Sequence, residues 1–71
     1  MNGGNIRLLR EEKGMTLNEL AAQSGVSKSY ISYIERGMQK NPSIAVLEKI
    51  STALGIDFIQ LIETLNEPVK K

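Results

Sequence analysis

Apolar residues recur along this chain at three- and four-residue intervals, in five short runs interrupted by glycines and hydroxyl residues. That spacing lines one face of an α-helix, and the strict alternation of a half-buried strand appears nowhere. The expected fold is all-α, a compact bundle of five short helices. It would form one domain over residues 1–71, with an ordered core at about 5–66.

Residues 1–4, MNGG, are expected to be a frayed start. The first helix should run from about Asn5 to Lys13 with Ile6 and Leu9 as its apolar stripe, ending at Gly14. Thr16 and Glu19 have the spacing of a capping box and open a second helix that runs to Ser24. Gly25 supplies the left-handed residue that lets the chain leave that helix. Ser27 caps a third helix over Lys28–Arg36, which Gly37 stops.

The segment GMQKNP is the one substantial loop. After it either Asn41 caps, with Pro42 at the first helical position, or Ser43 caps; the sequence leaves both open. The fourth helix follows to Leu54, with Ile44, Leu47, Ile50 and Leu54 toward the core and Gly55 as its stop. Asp57 is placed to cap a fifth helix, with Gln60 three residues on, and Phe58, Leu61, Ile62 and Leu65 share its apolar face. Ile59 widens that face. With Ile62 it either marks a dimer surface or is a single exposed isoleucine of the ordinary kind.

The third helix carries the functional signal. Set Lys28 at zero and step about 100° per residue; Ser32, Arg36, Ser29 and Tyr33 then fall in one arc, from about 40° to about 140°. Tyr30, Ile31 and Ile34 occupy the opposite arc. The polar arc holds short hydroxyls, a lysine, an arginine and a tyrosine, and no acid. A plainly solvated face more often mixes Glu and Lys at i,i+4. The absence of acid suits a polyanion, and serines let the helix backbone approach it closely.

Net charge is only +1, but its distribution matters. Between Ser24 and Val46, Lys28, Arg36 and Lys40 face a single acid, Glu35, while the other acids gather elsewhere. One basic side on a near-neutral chain fits nucleic acid. With no Cys and no His, disulfides, a zinc site and a Ser-His or Cys-His nucleophile are excluded. No enzyme activity, metal, cofactor or small-molecule ligand is expected. No apolar run approaches a membrane span, and MNGGNIRLLREEKG has no apolar core of a signal peptide, so the expected location is the cytoplasm.

Leu20, Ala21, Gly25, Val26, Ile31 and Ile34 have the spacing with which the lambda-repressor-like (Cro/repressor, XRE) family packs its helix-turn-helix. The chain resembles that family over residues 5 to 66, and the wording SKSYISYIERGMQKNPSI is most similar to SinR-type repressors. The resemblance implies a DNA-binding transcriptional regulator, usually a repressor, that reads the major groove with its third helix as a dimer on a two-fold site. It places Lys28, Ser29, Ser32 and Tyr33 at bases, with Tyr33 packing on a thymine methyl or bonding a phosphate. It places Thr16, Leu17, Asn18, Arg36, Lys40, Asn41 and Ser43 along the DNA backbone, with a base contact left open for Arg36. It also implies a structural ion pair between Arg10, on the apolar side of the first helix, and Glu35. Ser24 departs from the resemblance, which often has an apolar residue before the turn glycine, and is expected to loosen the packing there slightly.

The expected partners are therefore double-stranded DNA and a second copy of the chain. The competing reading is a protein-interaction module of the same fold, antitoxin-like or a fragment of a SinR-type protein, with weak or no DNA binding alone.

Overall fold

The structure, a computed structural model, describes residues 2–39 and 41–67. Five helices follow one another: α1 (Gly4–Glu12), α2 (Leu17–Ser24), α3 (Lys28–Glu35), α4 (Ile44–Leu54) and α5 (Phe58–Leu65). Their main packings form a closed ring in the order α1, α3, α2, α4, α5 and back to α1. Inside it lie Ile6, Leu20, Val26, Ile31, Ile34, Leu47, Ile50, Leu54, Leu61 and Leu65. Helices of 8–11 residues are too short to hold alone, so tertiary burial of these stripes sustains them.

Local chemistry sets where each helix starts. The Thr16 hydroxyl accepts the Glu19 N–H at 3.1 Å, and the Glu19 carboxylate accepts the Thr16 N–H at 2.9 Å, completing the capping box of α2. Ser27 accepts the Tyr30 N–H at the start of α3, and Ser43 accepts the Val46 N–H at the start of α4. Ser43, and not Asn41, is thus the cap of α4. Gly25 leaves α2 at φ 73°, a backbone conformation that costs an L side chain and costs glycine almost nothing.

Four expectations need correction. Ile44 is 65% exposed and faces solvent. It lies about 90° around the helix from the mean direction of Leu47, Ile50 and Leu54, beyond the edge of the buried stripe. Asp57 holds the N-cap position of α5, but its side chain makes no capping hydrogen bond. Ser24 does not loosen the turn: it is buried, its hydroxyl accepts the Val26 N–H at 3.2 Å and points its own hydrogen to the Ala21 carbonyl.

Finally, residues 2–4 are docked rather than frayed. The Asn2 N–H donates to the Leu65 carbonyl at 2.8 Å, and its side-chain amide reaches the Glu67 carbonyl. Buried Asn5 donates to the carbonyls of Thr64 at 2.8 Å and Glu67 at 3.0 Å. The two asparagines thereby bring donors to carbonyls at and just beyond the end of α5. Between them Gly3 lies so close to Ile34 that a Cβ would overlap the Ile34 carbonyl oxygen.

Candidate nucleic-acid interface

The acid-free arc of α3 is exposed on the ring. Lys28, Ser29, Tyr33 and Arg36 are exposed, and Ser32 is half-buried. Together with Leu17 from the start of α2 they line one shallow concavity of about 350 Å³. Two cations and no carboxylate border it. Its lining joins the two helices because the Gly25 turn folds α3 back across α2.

The one acid of α3 is held away from this face. Glu35 lies on the core side, its side chain 6% exposed, against an Arg10 side chain that is 11% exposed. Arg10 Nε donates to Glu35 Oε2 at 2.9 Å and a terminal nitrogen donates to Oε1 at 3.1 Å, a two-pronged match of planar groups. The other terminal nitrogen donates to the Met15 carbonyl at 2.9 Å. Arg10 therefore joins α1, the connection before α2, and the end of α3. The hydrogen bond to Glu35, reinforced by the charges of Glu35 and Glu11 and opposed by burial, raises the Arg10 pKa further above its ordinary value.

At the other end of the face, Arg36 folds back over α3. Its guanidinium carbon stands 5.4 Å from the centre of the Tyr33 ring, and its Nε points to the Ser32 carbonyl at 3.4 Å. This i,i+3 stack escaped the sequence reading, which treated Tyr33 and Arg36 separately; their spacing was the available signal.

The residues expected at the DNA backbone divide into two groups. Leu17 and Arg36 join the concavity, whereas Thr16, Asn18, Asn41 and Ser43 do not line it. Thr16 and Ser43 are engaged as caps. In each first turn the capping bond uses the third N–H. That leaves those of Leu17 and Asn18 in α2, and of Ile44 and Ala45 in α4, without intrahelical partners. The Thr16 N–H, first, and its hydroxyl, second, hold the Glu19 carboxyl below its ordinary pKa. Lys40 lies outside the described residues.

Of the two isoleucines expected at a dimer surface, Ile59 is 71% exposed and Ile62 is half-buried against the core. Among the described residues no group of three His, Cys, Asp or Glu side chains could hold a metal. No helix among them is long and apolar enough to cross a membrane.

Known proteins resemble this chain in sequence and fold. The chain is 49% identical over 63 residues to the transcriptional regulator SlrR of Bacillus subtilis, covering 89% of this chain and 41% of that protein. It is 48% identical over 67 residues to the regulator SinR of the same organism, covering 94% and 60%. The chain thus spans roughly half the length of these curated relatives.

A solved structure of SinR with DNA superposes with a TM-score of 0.82 at 50% identity, over 87% of this chain and 98% of that one. A chain of the SinR–SinI complex superposes at 0.86 and 46% identity, over 99% and 68%. The restriction-modification controller protein C.AhdI of Aeromonas hydrophila superposes at 0.78 and 39% identity, over 83% and 88%. The pattern of the helix-turn-helix family matches residues 6–61. This chain belongs to that family, in its lambda-repressor-like (XRE) branch.

Proposed function

We propose that this chain is a sequence-specific, double-stranded-DNA-binding transcriptional regulator, a repressor, that reads the major groove with α3 and binds a two-fold operator as a dimer. The observation that carries this reading is the concavity on α3, bordered by Lys28 and Arg36 and floored by hydroxyls, with Glu35 drawn out of it by Arg10. The relatives SlrR and SinR are transcriptional regulators, and SinR has been solved on DNA, which supports the same role here.

Lys28, Ser29 and Ser32 face base edges, with Tyr33 beside them. Lys28 donates to guanine O6 and N7; serine hydroxyls both donate and accept and therefore discriminate less. Thr16, Leu17 and Asn18 at the start of α2, and Lys40, Asn41 and Ser43 before α4, meet phosphates. There the free first-turn N–H groups and the positive helix end favour an anion. One lysine and two serines carry limited sequence information. Two copies about 10 base pairs apart supply the rest, with Ile59 and Ile62 at the contact between them. The regulator acts in the cytoplasm, as one DNA-binding unit, without cofactor or enzymatic step.

Fluorescence anisotropy on a randomised duplex pool, with sequencing of the bound fraction at two salt concentrations, tests this reading. A two-fold motif and an affinity that falls steeply with salt are expected. Binding absent even at low salt would reject it in favour of a protein-binding module, a role that the SinR–SinI complex makes concrete for a relative.

A further inference from the structure

The stack of Arg36 on Tyr33 has no part in folding: both residues are exposed, and neither belongs to the core cluster. Its two contacts nonetheless give the guanidinium a preferred place. Its carbon lies over the ring, 5.4 Å from the centroid, and Nε is directed to the Ser32 carbonyl at 3.4 Å. A guanidinium has five N–H donors in a fixed plane. With Nε turned to the Ser32 carbonyl, the two terminal nitrogens remain to donate elsewhere.

That pair fits two adjacent acceptors end-on, such as O6 and N7 of guanine. A phosphate also accepts a two-pronged guanidinium, so what favours a base is the place of Arg36 among the residues of the groove-facing concavity. Arg36 also lines the concavity together with Lys28, Ser29 and Ser32.

Resting on the proposed DNA-binding role, we propose that Arg36 reads a guanine and that Tyr33 is its positioning residue, a platform that holds the guanidinium plane toward the groove. This moves Arg36 from the phosphate role the sequence suggests, and it gives the tyrosine a function other than a thymine contact. Lys28 opens α3 and Arg36 caps its end, eight positions on, about 12 Å at 1.5 Å per residue. At 3.4 Å per base pair that is about three to four steps. Each half-site should therefore contain two guanines, on either strand, separated by that interval.

The test is the same bound-fraction sequencing on the wild-type chain and on Arg36→Lys, Tyr33→Ala, Tyr33→Phe and Lys28→Ala, each first checked for unchanged helicity. Arg36→Lys should lower discrimination at one guanine by roughly fivefold to a hundredfold, the contribution of a good bidentate pair. Tyr33→Ala should weaken preference at that same base pair by about two- to fivefold, the value of an exposed cation–π contact, and Tyr33→Phe should restore it. Lys28→Ala should relax a different position, three to four base pairs away.

The inference is overturned in either of two cases. In the first, Arg36→Lys leaves every base preference intact; in the second, Tyr33→Ala relaxes only a thymine. Both leave the DNA-binding role standing, whereas a wild-type chain that enriches no sequence removes that role and this inference together.

Discussion

Replacing Arg10 by methionine keeps most of the side-chain volume while removing the guanidinium. Three hydrogen bonds are lost, two to Glu35 and one to the Met15 carbonyl. The larger effect is on what remains. Glu35, with 6% of its side chain exposed, becomes a desolvated carboxylate without its cation. Breaking a buried pair from one side costs about 3–5 kcal/mol. A chain of 71 residues holds about 4–11 kcal/mol in all, so Arg10→Met should bring it close to unfolding. At about 4–8 °C per kcal/mol the melting temperature should fall by at least about 12 °C.

Glu35→Leu should cost less. Arginine has a long stem that can carry its charge toward water, and the Met15 carbonyl still accepts from it. The double replacement removes both charges and should recover most of the stability, for a coupling of at least about 2 kcal/mol. Urea titrations of all four proteins, followed by far-ultraviolet circular dichroism, measure this. If Arg10→Met does not fold, recovery of helicity in the double variant supplies the same answer. A loss below about 1 kcal/mol for Arg10→Met, or additive single effects, would refute the reasoning.

Gly3→Ala should destabilise the chain by about 1–3 kcal/mol, the usual effect of forcing a methyl into filled space. Residues 2–4 must then leave the end of α3; amide exchange at Asn2 should rise, and unchanged exchange would count against the docking. Lys28→Ala should cost about 1–3 kcal/mol of binding and relax preference at one base pair, whereas uniform weakening on all sequences would make Lys28 a phosphate contact.

The capping-box carboxyl of Glu19 has its pKa lowered on folding, so its charged form adds stability above the ordinary value of 4.5. That contribution is lost as pH falls through the lowered folded value. Glu19→Gln keeps an acceptor for the Thr16 N–H without the charge. The melting-temperature difference between it and the wild type should therefore shrink between neutral pH and pH values below 4.5; a constant difference would remove the electrostatic part of the cap.

The five helices were legible because their signals are local. Hydroxyl caps sit one residue before each of α2, α3 and α4, and apolar spacing marks the buried stripes. The polar arc of α3 was legible for the same reason, since a helical wheel requires no tertiary knowledge. What escaped depends on partners far along the chain. Asn5 looks like an ordinary helix-start residue, yet its amide serves carbonyls 59 and 62 positions away. Ile44 has the right residue type and nearly the right phase, but only the finished bundle decides where its core ends. Ser24 looked like a gap in an apolar turn until its hydroxyl met the Val26 N–H.

The division of α3 into two sides has an evolutionary consequence. Ile31, Ile34 and Glu35 commit one side to the bundle, while Lys28, Ser29, Tyr33 and Arg36 on the other touch little that the fold requires. Substitutions on the outer side should change melting little, so selection on stability leaves them free to vary. A duplicated gene can drift toward a new target through this handful of codons while its product stays folded at every step. The same partition makes the scaffold a practical chassis: exchanging the outer residues as a set should transplant target preference between relatives without re-engineering the interior.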